Sequence, residues 1–265
     1  MKNLSGQNVL ITGASSGIGR QIAINAAIAG ANLILVARNE DRLIEVKNEC
    51  SRLGHENSFN QHYIVDVSDY SSIDKLVDDL ESNNETIDIL VNAAGFGDFS
   101  LLVDNDMAII ESMFKVNVFG LMYLTRSIAS SMINNHKGHI INLGSMAGKI
   151  PTPKSAAYSA TKAAVIAFSD SLRMELKPLG VKVTTVNPGP VDTNFFEIAD
   201  HDGSYQKSVQ LLMLKPDKLA KDIVKSFNGN KREINRPRFM NVVSILYKTS
   251  PKLGDILTSS LGNKK

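Results

Sequence analysis

The sequence predicts an α/β fold in which one parallel β-sheet is covered by helices on both faces. Short apolar runs alternate with longer helical stretches along most of the 265 residues. Because these runs lack the polar–apolar alternation of a half-exposed strand, each strand is expected to be buried on both faces, as in parallel sheets. A chain of this length, with 43% hydrophobic residues, can bury a substantial core without disulfides. We therefore expect a doubly wound sheet in three layers, α/β/α.

The predicted elements follow one another in a regular order. A helix over residues 18–29 ends at Gly30, and a charged helix over residues 41–53 ends at Gly54. Glycine is typical just past the C-terminus of a helix. Further helical stretches separate the later strands. Strands are predicted at residues 8–12, 32–37, 63–65, 87–91, 139–143 and 181–186.

Residues 1–230 are interpreted as one domain, because no repeat, low-complexity tract or linker interrupts this alternation. Residues 231–265 form a C-terminal extension of different composition. The extension contains eight basic and two acidic residues, a net charge of +6, which leaves −4 for residues 1–230. Its charge therefore differs in sign from that of the predicted domain.

The extension also contains an apolar stripe at helical spacing, flanked by basic residues. Two interpretations of this short helical segment are open. It could cover the substrate cleft or contact another subunit, or it could rest peripherally on an anionic membrane as a basic amphipathic helix. The residues of the stripe are Phe239, Met240, Val243, Leu246 and Tyr247.

Composition excludes several classes of protein. The formal net charge of +2 is too small to indicate nucleic-acid binding. Cys50 is the single cysteine, so the chain can form neither an internal disulfide nor a thiolate zinc site. No apolar run of about 18 residues and no signal peptide are evident, which predicts a soluble protein of a reducing compartment, the cytoplasm.

The histidines form no metal-binding motif, so no metal site is predicted. His136 and His139 flank Gly138 at a predicted helix-to-strand turn and are expected to face solvent. The full set is His55, His62, His136, His139 and His201.

A glycine-rich turn follows the first strand, where doubly wound sheets bind ligands. The segment Thr12-Gly-Ala-Ser-Ser-Gly-Ile-Gly19 has the spacing G-x-x-x-G-x-G directly before a helix. Glycines permit a tight turn and a close approach of the backbone, and the helix N-terminus offers N–H groups to a pyrophosphate. Glycines could also serve strand–helix packing alone, but the position in the first βα unit favours a Rossmann-like dinucleotide site. The residues expected at the phosphates are Gly13, Ser15, Ser16, Gly17, Ile18 and Gly19.

The residues after the second and third strands indicate which dinucleotide is bound. An acid at the end of the second strand would hold the ribose 2′-hydroxyl of NAD, whereas an arginine accommodates the 2′-phosphate of NADP. Here Ala37 is followed by Arg38, so NADP(H) is predicted, although Arg38 could instead be a solvated side chain. Asp66 could accept a hydrogen bond from the adenine amino group, or serve a turn or cap.

A serine, a tyrosine and a lysine point to carbonyl chemistry. Tyr158 and Lys162 share one helical face, and Ser145 follows the strand that ends at Leu143. Hydride addition to a carbonyl carbon leaves charge on the oxygen, and a phenol with a pKa of about 10 can donate the proton. In the reverse reaction the Lys162 ammonium would favour the phenolate. Ser145 would hydrogen-bond the substrate oxygen.

Together these motifs resemble those of the short-chain dehydrogenase/reductase family, and the resemblance covers residues 6–230. The family usually has Asn-Asn-Ala-Gly where this chain has Asn92-Ala93-Ala94-Gly95. The other matching motifs are Thr12-Gly-x-x-x-Gly-Ile-Gly19, Asp66-Val67, Asn117, Gly144-Ser145, Tyr158-x-x-x-Lys162 and Pro188-Gly189.

The resemblance implies a catalytic tetrad. Asn117 would hold a proton-relay water and Ser145 would orient the substrate. Tyr158 would be the acid/base, and Lys162 would bind the nicotinamide ribose. Thr193 would contact the carboxamide, beside a nicotinamide pocket shaped by Pro188 and Gly189. The cofactor contacts outside the glycine turn would be Arg38, Asp66, Val67, Asn92, Ala93, Gly95, Tyr158, Lys162, Pro188, Gly189, Val191 and Thr193.

The predicted function is hydride transfer between NADP(H) and a carbonyl or alcohol group of a small, apolar substrate. The alternative is a catalytically silent NADP(H)-binding regulator or scaffold on the same fold, which the complete tetrad disfavours. The resemblance also implies a homodimer or homotetramer. The apolar residues expected at the substrate are Phe96, Phe99, Met146, Phe195, Phe196, Leu211, Leu212 and Met213.

Overall fold

In the computed structural model, which describes residues 3–200, 203–252 and 254–255, the chain builds a seven-stranded parallel sheet. The strand order is β3-β2-β1-β4-β5-β6-β7, so the order reverses between β1 and β4. A cleft for a ligand is expected at this switch point, beyond the carboxyl ends of the strands. The strands are β1 (Asn8–Thr12), β2 (Asn32–Ala37), β3 (Asn60–Ile64), β4 (Ile89–Asn92), β5 (Gly138–Leu143), β6 (Val181–Pro188) and β7 (Glu233–Arg236).

Helices cover both faces of the sheet, which confirms the predicted three-layer architecture. The helices are α1 (Gly17–Ile28), α2 (Glu40–Leu53), α3 (Tyr70–Ser82), α4 (Met107–Phe114), α5 (Leu121–Asn134), α6 (Ala156–Leu176), α7 (Phe195–Ala199), α8 (Ser204–Val209), α9 (Pro216–Ser226) and α10 (Phe239–Thr249).

Two apolar layers hold the sheet between the helices. Successive strand residues point to opposite faces: Val9 and Ile11 pack with α1, α2 and α9, whereas Leu10 packs with α3 and α5. The central strands are therefore buried on both sides, as their uninterrupted apolar sequences predict.

The sheet continues past residue 230, the limit that the sequence pattern predicts for the domain. β7 pairs in parallel with β6, and the pairs run from Thr185–Glu233 to Pro188–Arg236. The sequence pattern does not predict this strand, because Ile234 is the one apolar residue among its four. Polar contacts hold the strand instead, including an ion pair of 2.7 Å between Arg236 and Asp222 of α9.

His139 is fully buried, so the expectation that it faces solvent is wrong. The cause is that β5 begins at Gly138, one residue before it, which puts His139 inside a central strand. The Nδ1 atom accepts a hydrogen bond of 2.9 Å from the Asn228 backbone N–H, and Nε2 lies 2.8 Å from the Thr184 hydroxyl. His136 is exposed, as expected, whereas His201 lies outside the described residues.

α4, a wide π-helical turn over Lys115–Gly120 and α5 form one helical run of 28 residues, Met107–Asn134. An 18-residue window in it has a mean hydropathy of 1.4, so the run is apolar and long enough to span a membrane. This corrects the expectation that no such run exists. Core helices of soluble proteins share these properties, and α5 packs against β4, β5 and α3.

α10 confirms a helix in the extension but not the predicted stripe. Met240, Val243 and Tyr247 are half-buried, whereas Phe239 and Leu246 are exposed. The five residues therefore lie on two faces of the helix, and only one of these faces packs on the domain.

Candidate active site

A cleft lies at the carboxyl ends of the parallel strands, where the reversal of strand order predicts it. The glycine turn after β1 lines one end, and aromatic side chains line the other. The predicted site residues that line the cleft are Gly13, Ser16, Gly17, Ile18, Gly19, Ala93, Gly95, Ser145, Tyr158, Lys162, Pro188, Gly189, Val191 and Thr193.

The glycine turn is shaped by positions that exclude a side chain. Gly13 has φ +66° and Gly17 has φ +53°, in the left-handed region that favours glycine. A Cβ at Gly13 would lie 2.8 Å from the Ala94 nitrogen, and one at Gly19 would overlap the Gly13 carbonyl oxygen. The turn therefore brings its backbone against the neighbouring strand end and the start of α1.

The N-terminus of α1 faces the cleft without a competing cap. Ser16, the N-cap residue, makes no side-chain capping bond, and the first turn contains no acid. Backbone N–H groups at such a helix end, together with its partial positive charge, bind phosphate groups. The glycine cradle and the uncapped helix thus fit a pyrophosphate. Ser15 does not line the cleft.

Thr12 fastens the turn to the loop that follows β4. Its hydroxyl accepts hydrogen bonds of 3.0 Å from the backbone N–H groups of both Ala93 and Ala94. The Asn92 side chain is buried, and its amide donates hydrogen bonds to Thr125 and to Asn142. Of the Asn92-Ala-Ala-Gly95 motif, Ala93 and Gly95 line the cleft and Asn92 does not.

Asp66 occupies a turn beside Arg38, at the strand edge predicted to hold the adenosine half of the cofactor. One carboxylate oxygen accepts hydrogen bonds from the Ser68 backbone N–H and hydroxyl, and the other lies 3.7 Å from the Arg38 guanidinium. Although partial burial opposes ionisation, these bonds and the positive charge of Arg38 hold the pKa of Asp66 below its usual value. The packed Val67 side chain contributes to the core below.

Arg42 lines the cleft at the start of α2, and sequence reasoning missed it. The Asn39 side chain caps this helix by accepting a hydrogen bond of 2.9 Å from the Arg42 backbone N–H. The cap starts α2 directly after β2 and so carries Arg42 back over the strand end. Arg38 is exposed and does not itself line the cleft.

Ser145, Tyr158 and Lys162 come together in the middle of the cleft, all three buried. Ser145 begins a 3-10 turn after β5, because its hydroxyl accepts from the Ala147 backbone N–H at 3.1 Å. Tyr158 and Lys162 lie on the first turns of α6. The Lys162 ammonium donates a hydrogen bond of 2.8 Å to the Leu143 carbonyl and lies 5.8 Å from the centre of the Tyr158 ring.

Burial shifts both titratable groups of this cluster toward their neutral forms. It raises the pKa of the Tyr158 phenol above its ordinary value, and hydrogen bonding with Ser145 offsets part of that increase. It lowers the pKa of Lys162 to about 8. At neutral pH the phenol therefore keeps its proton and the lysine remains mostly charged. This arrangement provides a proton donor beside a buried cation.

Asn117 lies in the π-helical turn between α4 and α5, a distortion often found at functional sites. Its side-chain oxygen accepts from the Phe96 N–H at 3.0 Å, and its amide donates to the Phe96 carbonyl at 2.8 Å and to Thr161. These bonds fix the loop after Gly95, beside Lys162, and the side chain of Asn117 does not line the cleft.

β7 and α10 support the segment that follows β6. The Gly189 N–H donates to the Arg236 carbonyl at 2.6 Å, and a Cβ at Gly189 would lie 2.8 Å from the Met240 sulfur. Met240 itself lines the cleft. Across the cleft, a Cβ at Gly17 would lie 3.7 Å from the Cβ of Thr193. Pro188, Gly189 and Thr193 thus form the wall that faces the glycine turn.

An ion pair joins β7 to the loop that carries Ser145. Lys149 donates to Glu233 at 2.6 Å, and Asn235 donates to the same carboxylate oxygen at 3.0 Å. Partial burial opposes ionisation of Glu233, but the hydrogen bond from Lys149 holds its pKa below the usual value. The extension is therefore joined to the loop that carries Ser145 by an ion pair, and to β6 by strand pairing.

Aromatic rings form the other end of the cleft. Phe99 stacks on Tyr205 at 4.4 Å between ring centroids and meets the Tyr158 ring edge-on at 5.5 Å. Sequence reasoning missed Tyr205, because residues 200–213 carry no periodic pattern. Leu211 is fully exposed, and Met213 packs behind the rings without lining the cleft. The predicted substrate residues that line the cleft are Phe96, Phe99, Met146, Phe195, Phe196 and Leu212.

No group of three or more potential metal ligands occurs within residues 3–200, 203–252 and 254–255. The cleft itself presents a phosphate cradle, a buried phenol, a hydroxyl and an ammonium.

Sequence and structure comparisons agree with this geometry. A family model described as short chain dehydrogenase matches residues 7–202. An uncharacterized oxidoreductase of Staphylococcus saprophyticus is 39% identical over 193 residues, which cover 73% of this chain and 82% of the relative. A 3-ketodihydrosphingosine reductase of Bos taurus is 33% identical over 239 residues, 86% of this chain and 70% of the relative.

Among solved structures, a short-chain dehydrogenase from Sphingobium yanoikuyae in complex with NADPH superposes with a TM-score of 0.80 and 27% identity. The superposition covers 94% of this chain and 96% of the Sphingobium chain. The strand order, the glycine turn after β1 and the Ser145–Tyr158–Lys162 cluster thus occur together with matches along most of the sequence. The chain belongs to the short-chain dehydrogenase/reductase family of oxidoreductases.

Proposed function

We propose that the protein transfers a hydride between NADP(H) and a carbonyl or alcohol group of a small, apolar substrate. The observation that carries this proposal is the position of Ser145 and Tyr158 in one cleft, between a phosphate-binding turn and an aromatic wall. A bound nicotinamide would supply the hydride at the substrate carbon. The chain would then have to neutralise charge at the substrate oxygen.

Tyr158 is the proposed acid and base at that oxygen. Its raised pKa keeps the phenol protonated, so in reduction it donates its proton to the alkoxide as the charge develops. Ser145 donates a second hydrogen bond to the same oxygen and holds it in place. In oxidation the phenol must first lose its proton, and the nearby Lys162 charge favours that loss.

Asn117 and Lys162 position this centre. Lys162 is held by the Leu143 carbonyl and would bind the ribose hydroxyls with its remaining donors. The side-chain oxygen and amide of Asn117 are engaged with Phe96 and Thr161. The proposed relay water would therefore be held by the backbone at the π-helical turn, which Asn117 shapes.

NADP(H) is the proposed cofactor, because two arginines flank the end of the cleft beyond the glycine turn. Arg38 directly follows β2, where an NAD-binding site would have an acid, and Arg42 lies in the first turn of α2. A guanidinium matches a 2′-phosphate in a bidentate fork. The NADPH complex of the Sphingobium relative supports the same choice.

The proposed substrate is an apolar ketone or aldehyde, a steroid-like molecule or an acyl derivative, or the corresponding alcohol. Rings of Phe96, Phe99, Phe195 and Phe196 surround the reacting end of the cleft, and such a wall binds apolar groups and rejects polyols. The bovine relative, whose name describes reduction of a ketone, is consistent with this class.

A catalytically silent regulator is the alternative, and the buried cluster disfavours it. Burial raises the pKa of the Tyr158 phenol, and a protein that only binds a dinucleotide has no use for a buried proton donor beside Ser145. We also propose a cytoplasmic homodimer or homotetramer, since family members typically oligomerise. Light scattering would determine the number of subunits.

A substrate screen separates the enzyme from the silent regulator. Consumption of NADPH and of NADH is followed across matched apolar ketones and polar sugars. Turnover of apolar ketones with NADPH is the expected result. Tight NADPH binding without turnover of any carbonyl or alcohol would favour the regulator, and turnover of sugars alone would contradict the apolar substrate class.

A further inference from the structure

The outer face of α10 is an apolar surface with no described partner. Its inner face packs on the domain, with Met240 against Gly189 and Ser244 buried. The outer face comprises four residues at helical spacing, each more than half exposed. These residues are Phe239 (51%), Val242 (58%), Ile245 (54%) and Leu246 (52%). An exposed apolar cluster of this kind marks an interaction site.

Basic residues surround this face. Arg238 precedes the helix, Lys248 lies in its last turn and Lys252 follows it; all three are exposed. None of the three forms an ion pair with any of the residues that the structure describes. The described residues from 231 onward, 231–252 and 254–255, contain six basic and two acidic residues, a net charge of +4, whereas residues 1–230 carry −4. An anionic surface would therefore attract this end of the molecule and repel the rest.

The same face borders the mouth of the cleft. Met240 reaches into the cleft from α10, next to Phe239 on the outer face. Ile198 also lines the cleft and is 62% exposed, and Leu211 is fully exposed beside Leu212, which lines it. The rim at the substrate end is therefore apolar and open.

We propose that the outer face of α10 docks on the surface of an anionic lipid bilayer. The helix lies in the plane of the interface with its four apolar residues among the acyl chains, and the flanking cations contact the headgroups. Docking places the substrate end of the cleft next to the bilayer. The docking itself does not depend on the proposed reaction. Only the further step, passage of an apolar substrate from the bilayer into the cleft, rests on the proposed function.

Charge favours a bilayer over a second copy of the chain. Two copies that met through this face would bring two clusters of unpaired cations together, and like charges in an interface oppose association. An anionic bilayer instead neutralises them.

The test is sedimentation of the full chain with phosphatidylcholine vesicles that do or do not contain phosphatidylserine. The full chain should sediment with the anionic vesicles, and salt should release it. Val242→Ser/Ile245→Ser should lower the partition coefficient about tenfold for each residue. Arg238→Gln/Lys248→Gln/Lys252→Gln should lower it about 100-fold, and only on anionic vesicles.

The matched control is Leu53→Ser/Ile64→Ser, which removes two exposed apolar side chains near the β3 edge of the sheet, opposite β7. This variant should bind like the unchanged protein. Substitutions are preferable to removal of α10, because truncation would also remove Met240 from the cleft.

Three results would overturn the proposal. The first is nonspecific binding: the chain sediments equally with and without phosphatidylserine, or the control variant loses as much vesicle binding as Val242→Ser/Ile245→Ser. The second is a Val242→Ser/Ile245→Ser variant that changes only the oligomeric state, which would assign the face to a second copy. The third is vesicle binding only after removal of residues 256–265, which would mean that the end of the chain covers the face. Because no readout involves turnover, these results stand apart from failure of the proposed reaction.

Discussion

The two ends of the cleft are built from different parts of the chain. At the phosphate end the walls are backbone: Gly13 and Gly19 are present because a Cβ would meet a neighbouring main chain. At the substrate end the walls are side chains, chiefly the stacked rings of Phe99 and Tyr205 and the adjacent Phe195. Positions in the backbone wall accept only glycine, whereas positions in the aromatic wall can accept other apolar side chains of similar volume. The first end should thus be intolerant of change, and the second should tune selectivity.

Gly19→Ala should produce the largest loss of NADPH affinity. The added Cβ overlaps the Gly13 carbonyl, so the turn must open. The backbone N–H groups at the start of α1 then no longer point at the phosphates. NADPH affinity, measured by calorimetry, should fall by about 100-fold or more, on the scale of losing two charge-assisted hydrogen bonds.

Gly6→Ala is the matched control, because Gly6 has φ +75° and no atom near its missing Cβ. It should lower the free energy of unfolding by about 1 kcal/mol and leave NADPH affinity unchanged. Full NADPH affinity in Gly19→Ala would mean that the phosphates bind elsewhere.

Arg38→Glu should have the next largest effect, and it should distinguish the two cofactors. The change replaces a partner of the 2′-phosphate by a like charge, so NADPH affinity should fall about 100-fold while NADH affinity changes little. Arg42→Glu should act in the same direction, since Arg42 lines the cleft. Arg52→Glu, at the other end of α2, controls for the loss of positive charge. Equal losses for NADPH and NADH would contradict the predicted phosphate site.

Phe195→Ala should produce the smallest effect of the three, confined to the substrate. Phe195 lines the cleft beside Tyr158, with 5.7 Å between ring centroids. Removing its ring should lower kcat/KM for the best apolar substrate by about tenfold, the value of one partly buried aromatic side chain. NADPH affinity should not change, and Phe59→Ala, at an exposed position just before β3, should leave both quantities unaltered. A large loss of NADPH affinity in Phe195→Ala would erase the distinction between the two ends.

The same contrast explains how much the sequence could predict. The glycine turn and the Tyr158–Lys162 pair are local, and their spacing alone places them on a turn and on one helical face. Both features require particular residue types, so they stand out in the sequence. The family and the three-layer fold followed from these motifs and from the alternation of strands and helices.

Features that depend on tertiary contacts gave no such signal. Arg42 reaches the cleft because a capped helix starts directly after β2. β7 is four mostly polar residues that become a strand because β6 is long enough to pair with them. Tyr205 lies in a segment without periodicity and joins the aromatic wall only through stacking on Phe99. In the sequence His139 resembles a turn residue, but β5 begins at Gly138 and so places His139 in the core.

The most direct test of the central claim, that Tyr158 is the proton donor in hydride transfer, is the rate of NADPH oxidation by Tyr158→Phe with the best ketone from the screen. The rate should fall about 10²–10⁴-fold, the usual contribution of general acid catalysis, while NADPH affinity stays unchanged. Tyr205→Phe removes a hydroxyl from the same aromatic wall and should keep the rate. A Tyr158→Phe enzyme that reduced the ketone as fast as the unchanged protein would contradict the assignment.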